Sequence, residues 1–236
     1  MKTPDSRFYC PQIETGEITL DENESSHAVR VCRAAAGDTL QLCDGLGHFA
    51  DATIVNADAK ACTVRIEKFD TVSTERPRLN LAIACLKDDA LEEVVFHAAQ
   101  TEIDTIYFLR TDFSQEPKNS DLHKLVRRAE LKSLVSLKQS KKPWLTRIEG
   151  PVEFDRWLEA ESGDLILCDI DGEKKAPVLD RRTTLLIGPE GGFSPREIEM
   201  VKSYRQGKTS LLNLGNTRLR ARTAAIIALG CLLYHI

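Results

Sequence analysis

Leu185-Leu186-Ile187-Gly188-Pro189-Glu190-Gly191-Gly192-Phe193-Ser194-Pro195 is the stretch on which the reading of the fold turns. An apolar strand runs straight into glycines and a proline. Ser194 then stands where a helix N-cap belongs, with Pro195 at the first helical position. Glu197 follows three residues after Ser194 and completes a capping box. Strand, glycine loop and capped helix in succession describe an α/β unit whose loop lies beyond the carboxyl end of a strand, where open α/β sheets hold ligands. Gly188, Gly191 and Gly192 let backbone groups approach such a ligand closely. A plain structural turn into a helix is the competing reading. The loop lacks the Gly-Lys-Ser/Thr of a phosphate loop and does not fit GxGxxG, which counts against a dinucleotide site.

The chain downstream repeats the pattern. Leu212-Asn213-Leu214-Gly215-Asn216-Thr217-Arg218-Leu219-Arg220-Ala221-Arg222-Thr223-Ala224 places a short apolar strand before a tight loop with arginines at alternate positions. The apolar helix that follows, about 222–233, would carry those cations at the positive end of its dipole unless an anion compensates. RNA phosphate or a protein carboxylate would serve; a hydrated exposed loop is the alternative.

Upstream, LNLAIACL (79–86) is a nearly continuous apolar run, the mark of a parallel strand covered on both faces. A helix over 89–101, the strand TIYFL, a long helix over about 120–140, the strands DLILCDI and TTLLIGP, and a helix over 194–205 complete an alternation that predicts a mostly parallel sheet. Residues 71–77 (TVSTERP) read as a linker.

Residues 7–70 have another texture. RFYC, EITL, TLQLCD, HFADATIV and ACTVRIEKF alternate like short strands, separated by turn-forming Ala36-Gly37-Asp38, Asp44-Gly45-Leu46-Gly47 and Asn56-Ala57-Asp58. Only 25–36 reads as helical. The spacing predicts a small barrel or closed sheet. The chain therefore divides into a β-rich domain, 1–72, and an α/β domain, 73–236.

Composition narrows the function. The 236 residues are 42% hydrophobic and 29% charged, as in an ordinary globular protein. No segment approaches the roughly 20 apolar residues of a membrane span, and the opening MKTPDSRFYCPQ lacks a signal-peptide core, so the expected location is cytoplasmic. Seven separate cysteines without a CxxC pair argue against a disulfide framework or a structural zinc site, and no other metal cluster is evident. A net charge of −4 counts against a protein held to nucleic acid by overall charge alone. It leaves room for local basic faces. Between 124 and 147, Lys124, Arg127, Arg128, Lys132, Lys138, Lys141, Lys142 and Arg147 are opposed only by Glu130, with Gln139 and Trp144 nearby; a solvated helix face is the alternative. In the first domain Arg7, Arg30 and Arg33, beside His27, could frame a second RNA contact.

Taken together, these motifs resemble the ribosomal RNA small-subunit methyltransferase E family, of the SPOUT superfamily. The resemblance rests on LLIGPEGGFSPREIEMV and LNLGNTRLRARTAAIIAL. It rests also on Arg7-Phe8, Ser26-His27-Ala28-Val29-Arg30-Val31-Cys32-Arg33, Gly37-Asp38, Asp44-Gly45-Leu46-Gly47 and Lys138-Gln139-Ser140. It spans nearly the whole chain. It implies a PUA-like β-barrel preceding a SPOUT α/β domain with a trefoil knot, and a homodimer. It implies S-adenosyl-L-methionine as methyl donor, and N3 of a uridine in the decoding region of 16S rRNA, within the small ribosomal subunit, as acceptor. Ile187, Gly188, Pro189, Gly191, Leu214, Gly215 and Leu219 would hold the cofactor. Arg220 is the candidate catalytic residue, through substrate or cofactor positioning. Arg7, Arg30, Arg33, Lys138, Gln139 and Arg218 would contact RNA. The chain departs from the family pattern at His97, Gln100, Thr101 and Glu102, at Thr217 in place of arginine, and at Arg222 in place of glutamate. Methylation of another RNA position and a non-catalytic RNA-binding or assembly factor are the alternative functions.

Overall fold

A computed structural model of the chain describes residues 7–73, 75, 78–86, 90–114 and 122–234. The linker positions Thr74, Arg76 and Pro77, and the expected helix starts at Asp89 and Ser120, lie outside the described residues. The chain forms two compact units. The first comprises the chain up to Glu75 together with Leu134–Leu145, and the second takes 76–133 and 146–236. The division differs from a single cut after residue 72 in two respects: the boundary falls after Glu75, and a twelve-residue segment from far downstream belongs with the β-rich unit.

In the first unit, β1 (Phe8–Tyr9), β2 (Gly16–Thr19), β3 (Thr39–Cys43), β4 (His48–Asn56), β5 (Thr63–Ile66) and β6 (Asp70–Thr71) form one sheet in the order β1-β3-β4-β5-β2, with β6 on β4. The alternation is realised: Leu40, Leu42, Ala50, Ala52, Ile54, Val64 and Ile66 point into a core with Phe8 and Ala28. The helix expected over 25–36 begins earlier and ends sooner. Its first part, α1 (Glu22–Ser26), is capped by Asp21, whose carboxylate accepts from the Glu24 amide, and a π-helical turn (His27–Val31) continues it. An aspartate cap satisfies the orphan amide as a serine would, and Leu20 before it is buried, so the start is fixed at Glu22, three residues upstream of the expected one.

In the second unit, β7 (Leu79–Ala84), β8 (Ile103–Arg110), β9 (Arg147–Glu153), β10 (Asp164–Glu173), β11 (Thr183–Ile187) and β12 (Thr209–Leu212) make a sheet in the order β12-β10-β11-β7-β8-β9. Every pairing in it is parallel. The central strands β7 and β11 are buried at every position, as continuous apolar runs demand when helices cover both faces. Leu81, Ile83, Leu185 and Ile187 meet α2 (Ala90–Ala98) and α6 (Ala221–Tyr234) on one face. Ala82, Leu165, Leu167 and Leu186 meet α4 (Phe154–Ala160) and α5 (Pro195–Ser203) on the other. The long helix α3 (Leu122–Ser140) contributes Leu125 and Ala129 to the first of these cores.

The topology selects one place for a ligand. From β7 the chain builds outward through β8 and β9, then returns to fill the other side with β10, β11 and β12. The strand order reverses between β7 and β11, and a crevice opens beyond the carboxyl ends at such a switch point. The loop at 188–194 begins there.

Candidate functional site

Both glycine loops converge on one cavity of about 560 Å³, within the usual size of a small-molecule site. Its walls come from the middle of β10 (Leu167, Cys168 and Asp169), from Ile187 to Phe193 at and after the end of β11, and from Leu212 to Leu219 at and after the end of β12. All seven residues expected to hold a cofactor, Ile187, Gly188, Pro189, Gly191, Leu214, Gly215 and Leu219, line it. Asp169 and Cys168 were not singled out from the sequence. They lie within a strand that reads as structural, and only its register beside β11 and β12 brings them to the cavity.

The first loop is folded tightly on itself. A side chain on Gly188 would place its Cβ 3.0 Å from the Gly192 carbonyl carbon and 3.1 Å from Phe193. Gly192 has φ 75°, in the left-handed region that favours glycine. The capping box is formed: Ser194 Oγ accepts from the Glu197 amide, and Glu197 Oε2 accepts from the Ser194 amide at 2.8 Å. Glu197, fully buried, reaches further than a cap requires, because Oε1 also accepts from the Asp112 amide at 2.9 Å. Asp112, on the turn after β8, receives Ser194 Oγ–H at 2.5 Å and the Arg196 guanidinium at 2.9 Å. Arg196 donates in turn to Asp155 at 2.8 Å. The hydrogen bonds from Arg196 and then Ser194 hold the Asp112 carboxyl below the usual carboxylate range. The same two acids raise the Arg196 pKa.

The second loop is held by one side chain. Asn213 Oδ1 accepts from the Gly215 amide at 2.7 Å, and its Nδ2 donates to the Ile170 carbonyl at 2.5 Å. Gly215 has φ 121°. Arg218 is exposed and donates to the Glu190 carbonyl at 2.8 Å, joining the two loops across the cavity rim. Thr217 also lines the cavity, whereas exposed Arg220 lies beyond the lining. Arg222 pairs with Glu93 of α2 at 2.7 Å. A protein carboxylate thus relieves the cation in the first turn of α6. Burial pushes the Cys168 thiol up to about 12, so this wall of the cavity stays protonated at neutral pH.

The expected RNA-contacting residues separate into two kinds. Lys138 is largely buried and pairs with buried Glu24 at 2.5 Å. Arg7 stacks its guanidinium 4.3 Å from the Phe49 ring centre and donates to the Lys141 carbonyl at 2.6 Å. Both charges are engaged in holding residues 134–145 on the first unit. Arg30, Arg33 and Gln139 are exposed. In the basic strip, Arg128 pairs with Glu92 at 2.8 Å, while Lys124, Arg127 and Lys132 are exposed. Among the described residues no three side chains are grouped to hold a metal ion, and no helix is long and apolar enough to cross a membrane.

Residues 74–233 match the family model of an RNA methyltransferase domain, and residues 20–67 that of an RNA methyltransferase PUA domain. The chain belongs to this RNA methyltransferase family, with a PUA-like first domain and a SPOUT-like α/β second domain. Within the family it is similar to proteins of the ribosomal RNA small subunit methyltransferase E type. It is 28% identical to the Rickettsia conorii member, covering 92% of this chain and 89% of that one. It is 26% identical to the Mycobacterium tuberculosis member, covering 94% and 89%. A Legionella pneumophila protein solved in complex with the bound cofactor SAM is 27% identical and superimposes with a TM-score of 0.86, covering 97% of each chain. The Neisseria gonorrhoeae enzyme of the E type, bound to S-adenosyl methionine, shares the fold at a TM-score of 0.84 and 18% identity over 96% and 95% of the chains.

Proposed function

We propose that this chain transfers a methyl group from S-adenosyl-L-methionine to N3 of a uridine in the decoding region of 16S rRNA. The observation that carries the reading is the convergence of two glycine loops and the middle of β10 on one cavity. The lining suits the cofactor. Leu167, Ile187, Leu212 and Leu214 offer apolar surface for an adenine ring, while Asp169 and Glu190 offer carboxylates to a ligand that carries positive charge. When bound, the cofactor supplies an electrophilic methyl on a sulfonium.

The protein's own contribution is chiefly placement. Holding acceptor and donor in line is worth about 7–11 kcal/mol of barrier in well-oriented systems. The backbone at Ile187, Gly188, Pro189, Gly191, Leu214, Gly215 and Leu219 holds the donor. The protonated Cys168 thiol does not compete with the acceptor nitrogen as a nucleophile. Uridine N3 must lose its proton, and cations near the uracil oxygens stabilise the charge left on the ring. Arg220, exposed on the second loop, is assigned that role. Glu190, the carboxylate of the first loop that lines the cavity, is the base to test.

The first unit, the chain up to Glu75 with Leu134–Leu145, is the RNA-contacting domain, and the second unit is the catalytic one. Arg30, Arg33, Gln139 and Arg218 are the exposed residues through which phosphates are met; Arg7 and Lys138 act by shaping that surface. The loops around the cavity belong to a trefoil knot, the chain acts as a homodimer, and its place is the cytoplasm, with the small ribosomal subunit.

The test is methyl transfer to small subunits or 16S rRNA lacking the modification, with the modified nucleotide mapped and cofactor binding measured by calorimetry. Methylation at a uridine N3 is the expected result. Cofactor binding without methylation above a no-enzyme control overturns the catalytic reading. RNA binding without cofactor binding indicates an assembly factor instead.

A further inference from the structure

Phe113 is the most exposed phenylalanine among the described residues, at 49%. It sits on the turn after β8, beside the cavity. A Cβ placed on Gly191 would lie 3.4 to 3.6 Å from the Phe113 side chain, and Gly191 is itself part of the cavity lining. The ring is therefore a neighbour of the rim, separated from it by a residue with no side chain.

The turn that presents this ring is fixed on both sides. Thr111 donates its amide to Ser114 Oγ at 2.6 Å, and the Ser114 amide donates back to the Thr111 carbonyl at 3.1 Å. Asp112 between them is bonded through its amide to Glu197 and through its carboxylate to Ser194 and Arg196. An aromatic side chain left open to water on so strongly anchored a turn keeps its face available. At the rim, the second loop carries the exposed cation Arg218, which reaches the Glu190 carbonyl next to Gly191 at 2.8 Å. A flat apolar face beside a cation is the arrangement that binds single-stranded nucleic acid, the ring stacking on a base and the cation meeting the backbone.

We propose that Phe113 is the stacking platform for an unpaired RNA base presented at the cavity rim. This deepens the functional reading and rests on it, because it makes Phe113 the residue that receives the acceptor base or its immediate neighbour. Stacking on an aromatic side chain is sequence-tolerant, so Phe113 determines that a base must be unstacked, while other contacts decide which base it is.

The experiment compares Phe113→Ala, Phe113→Leu and Phe113→Trp with the unaltered protein. Two readouts are taken: the KM and kcat for methyl transfer to RNA, and the equilibrium affinity for a short single-stranded uridine-containing RNA. Cofactor affinity by calorimetry serves as the control. Replacement by alanine is expected to raise KM and weaken RNA affinity about tenfold or more, leaving cofactor affinity unchanged. Leucine should behave as alanine does, and tryptophan as the unaltered protein. If leucine restores full RNA affinity, the side chain acts as apolar filling and the platform is refuted. Unchanged RNA affinity in the alanine variant refutes it as well. If the unaltered protein binds RNA and cofactor but methylates nothing, the catalytic reading fails, and the affinity series alone decides the role of Phe113.

Discussion

The two loops that wall the cavity are built on opposite principles. The loop after β11 is cross-braced from outside: a buried glutamate, a serine cap, an aspartate from a different strand and an arginine that reaches a third element all fix it. The loop after β12 is braced mainly from within, by one asparagine that satisfies the turn it belongs to and by a single arginine reaching back to its counterpart. The first is tied to three other elements, the second chiefly to its own turn, to Ile170 and to the first loop. Stability and ligand affinity should therefore separate between them.

The sharpest break is Gly188→Val. The Cβ alone would stand 3.0 Å from backbone, so cofactor affinity should fall a hundredfold or more, measured by calorimetry; binding within threefold of the unaltered protein would refute the first loop as a ligand wall. Glu197→Ala should act on stability instead. It leaves the buried Ser194 amide without its acceptor, at about 1–3 kcal/mol, and frees the part-buried Asp112 amide as well, so the loss should appear as a lower midpoint in denaturant. For Asn213→Ala the weights are reversed. A drop in cofactor affinity of about tenfold with little change in the midpoint is expected, since the residue orders a loop and supports no core.

The smallest effect is conditional on pH. The Asp112 carboxyl is held below its ordinary value, first by Arg196 and then by Ser194, so its ionised form favours the folded state. That contribution is complete above the unfolded value of about 3.9 and fades as pH falls through the lower folded value. The stability difference between the unaltered protein and Asp112→Asn should be constant from neutral pH down to about 4 and shrink below that. A difference that grows on acidification would contradict the assignment.

Much of the first loop was legible in sequence because its signals are local. Glycines, Ser194, Pro195 and Glu197 stand within ten residues and each has one conformational meaning. What braces the loop was not legible. Asp112 and Asp155 lie 82 and 39 residues before Ser194 in the chain and are ordinary acids until the sheet order brings their elements together. The strand β9 was also missed, since Gly150 and Pro151 interrupt it and its residues are mostly open to water. That pattern fits an edge strand but defeats a search for apolar periodicity. In the first unit the strands were legible from alternation. The fates of Arg7 and Lys138 were not, because whether a cation meets phosphate or a buried glutamate depends on where residues 134–145 return.

That return also has a consequence for biosynthesis. Leu134–Leu145 belongs to the first unit, where the Leu145 amide bonds to the Gly45 carbonyl, that of Gly47 to Pro143, and Lys138 to Glu24. As the nascent polypeptide leaves the ribosome, the amino-terminal sheet must wait for some seventy further residues of translation before its last piece arrives. At about 5–20 residues per second this is a delay of several seconds, during which Leu137 and its neighbours are missing from their native places. Fragments cut near residue 75 would inherit the same deficit permanently.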